Sequence, residues 1–160
     1  MEIQTVKIKN PQVCNLILGM SHFIKTVEDI HELMVSSLPN AKFGLAFCEA
    51  SGPRLIRVSG TDPELIKLAS ENAQALGAGH SFILFLKDAY PINILPRLKD
   101  IPEVVRLFCA TANPVEVLVV TTKQGKAIIG VVDGGAALGI ENKKEETERK
   151  KFLRTIGYKL

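Results

Sequence analysis

Polar and apolar residues alternate in "IQTVKIKN", where Ile3, Thr5 and Lys7 take turns with Gln4, Val6 and Ile8; a two-residue period predicts a strand. The run "CNLILG" follows, so the chain opens on two strands or one hairpin. The period then lengthens. In "TVEDIHELMVSSL", Val27, Ile30, Met34 and Leu38 share one helical face, with Thr26 as the expected N-cap and Glu28 and Asp29 at the positive end of the dipole. Two strands, "FGLAFCEA" and "RLIRVSG", are joined by "SGP". The next helix, "TDPELIKLASENAQALG", is capped by Thr61 or Asp62, opened by Pro63 and ended by Gly77. "SFILFLK" is apolar toward both faces, which predicts an interior strand covered on each side. A short helix around "INILPRLKD" is interrupted by Pro96. Three strands follow, "EVVRLFCA", "VEVLVVTT" and "AIIGVVDGG", the last two joined by the turn "KQGK". The closing helix, "NKKEETERKKFLRTIGY", pairs Glu145 with Arg149 and Glu146 with Lys150.

Helices interleaved with hairpins predict one α/β domain over residues 1–160, a three-layer sandwich of helices around a mixed β-sheet. With 160 residues, 46% hydrophobic and 23% charged, the chain buries about two-thirds of its unfolded surface in one core. The net charge of +3 is mild and its basic residues are scattered, which calls for neither a nucleic acid nor a membrane surface. Cys14, Cys48 and Cys109 lie far apart in apolar company, without the close pairing of a zinc or redox site. They read as reduced core residues. The start carries no apolar targeting segment and no run reaches a membrane span, so the expected location is the cytoplasm.

Candidate chemistry lies where polar residues interrupt apolar strands. In "CEASGPRL", Glu49 and Arg54 flank a turn containing Ser51 and Gly52: a surface ion pair, or a carboxylate with a phosphate-holding guanidinium. In "CATANP", Thr111 and Asn113 either close a turn or read a base edge. In "VVDGG", Asp133 is a turn former, or an acceptor for sugar hydroxyls beside the bare N–H groups of Gly134 and Gly135. "GAGHSF" sets His80 at the mouth of the buried strand. Gly77 already ends the helix, so Gly79 signals a close approach to the backbone there. An imidazole titrates near neutrality and can accept a phosphoryl group, although a lone histidine beside a core is also a common structural residue. His31 lies mid-helix among acids and reads as solvated; His22 lies in a polar turn. Tyr90 and Phe82 are the aromatic candidates for stacking a base, Phe82 reading equally as core, with Asn93 near Tyr90.

The stretches "FGLAFCEASGPRL", "ENAQALGAGHSFILFLKDAYPINIL", "EVVRLFCATANPVEVLV" and "AIIGVVDG" resemble the archaeal and bacterial adenosine-specific kinase family over nearly the whole chain. The resemblance implies a compact three-layer α/β protein, a homo-oligomer such as a trimer or hexamer, that binds adenosine or AMP. It also implies a histidine that carries a phosphoryl group, and only His80 lies inside a matching motif.

No GxxxxGK[ST] loop or protein-kinase glycine loop is present, so a kinase here would work by another design. Two readings stay open. In the enzyme, His80 passes a phosphoryl group, with ATP and Mg²⁺ as donor, to the ribose 5′-hydroxyl. Arg54, Gly134 and Gly135 then neutralise charge, while Glu49 or Asp133 orients the acceptor or the metal ion. In the non-catalytic module, the same strand ends recognise a nucleoside and His80 only hydrogen-bonds it.

Overall fold

The computed structural model describes residues 1–160. In chain order the elements are β1 (Glu2–Lys7), β2 (Asn15–Ser21), α1 (Thr26–Ser37), β3 (Lys42–Cys48), β4 (Ile56–Gly60) and α2 (Pro63–Leu76). They continue with β5 (Ser81–Lys87), a 3-10 turn (Pro91–Asn93), α3 (Leu95–Lys99), β6 (Val104–Thr111), β7 (Val115–Thr121), β8 (Lys126–Asp133) and α4 (Lys143–Thr155).

The α/β class and the three layers are present. One face of a five-stranded sheet, ordered β4-β3-β5-β2-β6, packs Phe43, Phe47, Phe82 and Leu84 against Ile30 and Met34 of α1 and Leu98 of α3. Its other face packs Leu16, Ala46 and Phe85 against Leu65, Ala69 and Leu76 of α2 and against Val115, Val117 and Val119 of β7. That third layer is therefore shared between a helix and a second sheet, β1-β7-β8. The one mixed sheet expected from sequence is instead two sheets whose pairings are all antiparallel. The reason is insertion. Helix α1 joins β2 to β3 and helix α2 joins β4 to β5, crossovers suited to parallel partners, but β5 lies between the first two strands and β3 between the second two. Because β1 and β2 enter different sheets, the opening segment is two strands and no hairpin.

Local signals account for most element ends. Asp62 caps α2 by accepting from the N–H groups of Glu64 and Leu65 (3.0 and 3.1 Å), and Gly77 ends it at φ 58°. Lys25, not Thr26, precedes α1, because the Thr26 hydroxyl is buried, donates to the Phe23 carbonyl (2.5 Å) and lies 2.6 Å from Ser21 Oγ. Pro96 sits in the first turn of α3, where its missing N–H costs nothing, so it opens that helix and does not interrupt it. Glu146 pairs with Lys150 as expected, whereas Glu145 accepts from the Asn142 N–H (2.7 Å) and Arg149 pairs with Glu141. His31 is half-buried against Phe43, 2.7 Å from Ser59 Oγ, and is not the solvated residue its acidic neighbours suggested. No residue of α4 is buried, and Leu138, Ile140, Phe152 and Ile156 on this C-terminal arm are exposed. No helix is long and apolar enough to cross a membrane.

Glu103, just before β6, is 1% exposed, and neither carboxylate oxygen has a hydrogen-bond partner. Burial pushes its pKa up and neighbouring Asp29 adds to the rise, against the opposing charge of Lys25, whose Nζ lies 3.5 Å from Glu103 Oε2; a 2.6 Å hydrogen bond from Lys25 holds Asp29 down. A group whose pKa rises on folding contributes stability below its unfolded pKa and loses it as pH climbs through the folded one. Glu103→Gln, neutral throughout, should gain on wild type in urea midpoint as the buffer moves from about pH 4 to about pH 8. Curves that stay parallel would show that Glu103 is stably paired as a carboxylate.

Candidate functional site

His80 is held by its backbone before its ring does anything. Its N–H donates to the Cys48 carbonyl (2.7 Å) and its carbonyl accepts from the Ser21 N–H (2.9 Å), tying the residue between the ends of β3 and β2. Held on both sides, it adopts φ 62°, a left-handed conformation uncommon for a non-glycine residue and enriched at working sites. It stands outside β5, so strand alternation does not extend to it. The imidazole stacks on Phe47, centroids 5.9 Å apart at 12°, and stays half-exposed.

Glu49 is the group beside it. His80 Nε2 lies 3.7 Å from Glu49 Oε1, which also accepts from the N–H groups of Ala50 (2.9 Å) and Ser51 (3.4 Å) and from Ser51 Oγ (3.3 Å). Burial alone would raise the Glu49 pKa, but these donors, with Arg57 Nε at 3.4 Å from Oε2, hold it below the usual carboxylate value. It is a carboxylate at neutral pH. An anion beside Nε2 favours the tautomer protonated there, which leaves the Nδ1 lone pair free. Gly79 is accounted for by packing: a Cβ at that position would stand 3.0 Å from Ala50 Cβ, so the bare glycine lets the Glu49 loop close onto the His80 turn.

Next to this pair opens a cleft of about 890 Å³. The β3–β4 loop supplies Glu49, Pro53, Arg54 and Ile56; the end of α2 supplies Gln74 and Gly77; the β7–β8 turn supplies Thr122, Gln124 and Lys126. Arg54, at φ 51°, and Lys126 make no ion pair, so two cations face the cleft uncommitted, beside amides that can read a base edge and an apolar patch at Ile56 and Pro53. Gly52 takes the left-handed φ of 57° in this loop, and a Cβ added there would meet no other atom within 4 Å. Gln74, Thr122, Gln124, Lys126 and Arg57 were not singled out from sequence. "KQGK" reads locally as an ordinary turn, and only the placement of the small sheet beside α2 on the large sheet brings it here.

The remaining sequence candidates lie at the opposite end of the sheet. Asn113 donates from Nδ2 to Asp133 Oδ1 (3.1 Å) and from its N–H to Thr111 Oγ1 (3.0 Å), and Gly134, at φ 69°, donates to the Pro114 carbonyl (3.0 Å). Those contacts close a turn, while Gly135 faces open space. Seven residue steps along β8 at about 3.3 Å each separate Asp133 from Lys126 by about 23 Å. Asp133, Gly134 and Gly135 therefore stand at the other end of β8 from the cleft's Lys126. Tyr90, 62% exposed, and Asn93, whose Oδ1 accepts from the Tyr90 N–H (3.1 Å), also lie beyond the far end of β5. Phe82 is wholly buried in the core.

The side chains at His80 do not suit a protein-held Mg²⁺. Glu49 is the single carboxylate there, and its oxygens already serve three donors and Arg57.

The model of the family described as adenosine specific kinase matches residues 6–159. The crystal structure of the PH1918 protein from Pyrococcus horikoshii OT3 is 42% identical and superposes with a TM-score of 0.95, covering 99% of this chain and 98% of that one. Comparison with the curated proteins finds no match.

Proposed function

The chain belongs to the adenosine specific kinase family, and on that footing we propose that it binds adenosine or AMP in the cleft beside His80 and transfers a phosphoryl group through that histidine. The observation that carries this reading is His80 itself, strained at φ 62° and set 3.7 Å from an anchored carboxylate at the cleft's edge. The donor is of the nucleoside triphosphate class. Nδ1 attacks its terminal phosphorus, the bridging P–O bond breaks and the diphosphate leaves. The adenosine 5′-hydroxyl then attacks the phosphoryl group from the side opposite the ring, the P–N electron pair returns to Nδ1, and the hydroxyl proton is released to water. Magnesium enters this scheme only with the donor's phosphates. Against turnover stands the sequence itself, which lacks a known triphosphate cradle; the alternative is a binding module in which the same cleft holds the nucleoside and His80 only contacts it.

The cleft is tested by filling it. Ala127 is exposed and lines it, so Ala127→Trp should weaken adenosine binding more than tenfold by calorimetry, about 1.4 kcal/mol, while Tyr90→Ala leaves it unchanged. The reverse pattern would move the site to the far end of the sheet.

We also place a further copy of the chain on the C-terminal arm, which gives α4 no buried residue of its own and leaves Leu138, Ile140 and Phe152 in water. Light scattering should find a homo-oligomer that a chain ending at Gly135 no longer forms. A monomer at full length would remove this reading.

A further inference from the structure

Arg57 is the charged residue at this site whose bonds are least accounted for. Its Nε is buried without a hydrogen-bond partner, 3.4 Å from Glu49 Oε2, and the guanidinium makes no hydrogen bond within the chain. A guanidinium kept only as a partner for Glu49 would present its fork to both carboxylate oxygens. Here Oε1 is occupied by Ala50 and Ser51, and the arginine meets the other oxygen by its side nitrogen alone. The side chain remains 41% exposed.

Register explains where it points. Arg57 on β4 stands opposite Phe47 on β3, and Phe47 stands opposite Phe82 on β5, so Arg57 shares the face on which the His80 ring lies against Phe47. Two strand spacings, about 10 Å, separate the β4 and β5 main chains, a gap that an arginine side chain largely spans. Glu49 stands between the two, anchored from below and contacting each.

We propose that Arg57 binds the phosphate of the ligand, its terminal nitrogens forming a paired clamp on two phosphate oxygens beside His80. Glu49 then holds the arginine and the histidine by its charge, 3.4 Å from Nε and 3.7 Å from Nε2, so that the clamp and the Nδ1 lone pair address one phosphorus. The inference rests on the nucleoside reading above and adds to it the group that distinguishes AMP from adenosine. A clamp on phosphate oxygens has nothing to grip in adenosine.

Calorimetric titration of the full chain with AMP and with adenosine tests it on wild type, Arg57→Gln, Arg57→Lys and Lys126→Gln. Wild type should bind AMP at least tenfold more tightly than adenosine. Arg57→Gln should erase that preference while adenosine affinity stays within about twofold, which also shows that the variant is folded; Arg57→Lys, a charge without the fork, should fall between. A preference that survives in Arg57→Gln, that vanishes in Lys126→Gln instead, or that wild type never shows overturns the clamp and leaves adenosine binding standing. Wild type binding neither ligand overturns the nucleoside reading and the clamp together.

Discussion

Replacing His80 with asparagine is expected to lower AMP formation from adenosine and ATP on the order of 10³-fold or more, with adenosine affinity kept within about threefold. Asparagine is the informative choice for a backbone reason. His80 sits at φ 62°, where asparagine is several-fold more tolerated than most residues, so the strands joined by its N–H and carbonyl stay joined. What is lost is the ring nitrogen that could take a phosphoryl group. Alanine would confound the two effects, since it tolerates this left-handed conformation less well and would disturb the turn as well. Turnover surviving in the asparagine variant would show that phosphate moves directly between donor and acceptor, and His80 would be reduced to a ligand contact.

A second large effect is expected far from any chemistry, at Gly44. Its α-carbon faces the first turn of α2 so closely that an added Cβ would stand 2.1 Å from the Leu65 carbonyl carbon and 2.3 Å from the Ile66 nitrogen. Those are backbone atoms of a helix pinned by the Asp62 cap, and they cannot rotate away as a side chain would. Across the strand pair stands Gly60, whose own Cβ would meet the Phe43 carbonyl at 2.3 Å. The two glycines let α2 lie directly on β3 and β4, and α2 carries one wall of the cleft. Gly44→Ala should cost about 3 kcal/mol or more. The melting temperature should fall by roughly 6–12 °C. A variant that melts within about 1 °C of wild type would mean that α2 shifts freely on the sheet.

The sequence shows local decisions well and relational ones poorly. Helix α2 is legible because Asp62, Pro63 and Gly77 sit within the chain at both its ends, and β5 because seven residues in a row suit a strand covered on both faces. His80 is legible for the same reason, a polar residue among glycines ahead of such a strand. By contrast, "VVDGG" and "GAGHSF" look equivalent as strand ends, and a two-residue period says nothing about which end of the sheet each strand presents. The antiparallel β7–β8 pair sends Asp133 to one end and Lys126 to the other, so a loop read as chemistry closes a turn and a turn read as a connector lines the cleft. Arg57 becomes visible only through its register with Phe47. Gly44 carries no mark at all, because its meaning lies in Leu65 and Ile66, more than twenty residues further along the chain.

The most direct measurement is phosphorus NMR of the protein incubated with Mg-ATP, before and after adenosine is added. The account predicts a phosphohistidine signal with the Nδ1-linked shift that disappears when adenosine enters, as AMP appears in its place. An Nε2-linked signal would contradict the orienting role given to Glu49, and AMP forming with no phosphohistidine at any time, in a sample quenched during turnover, would contradict transfer through His80.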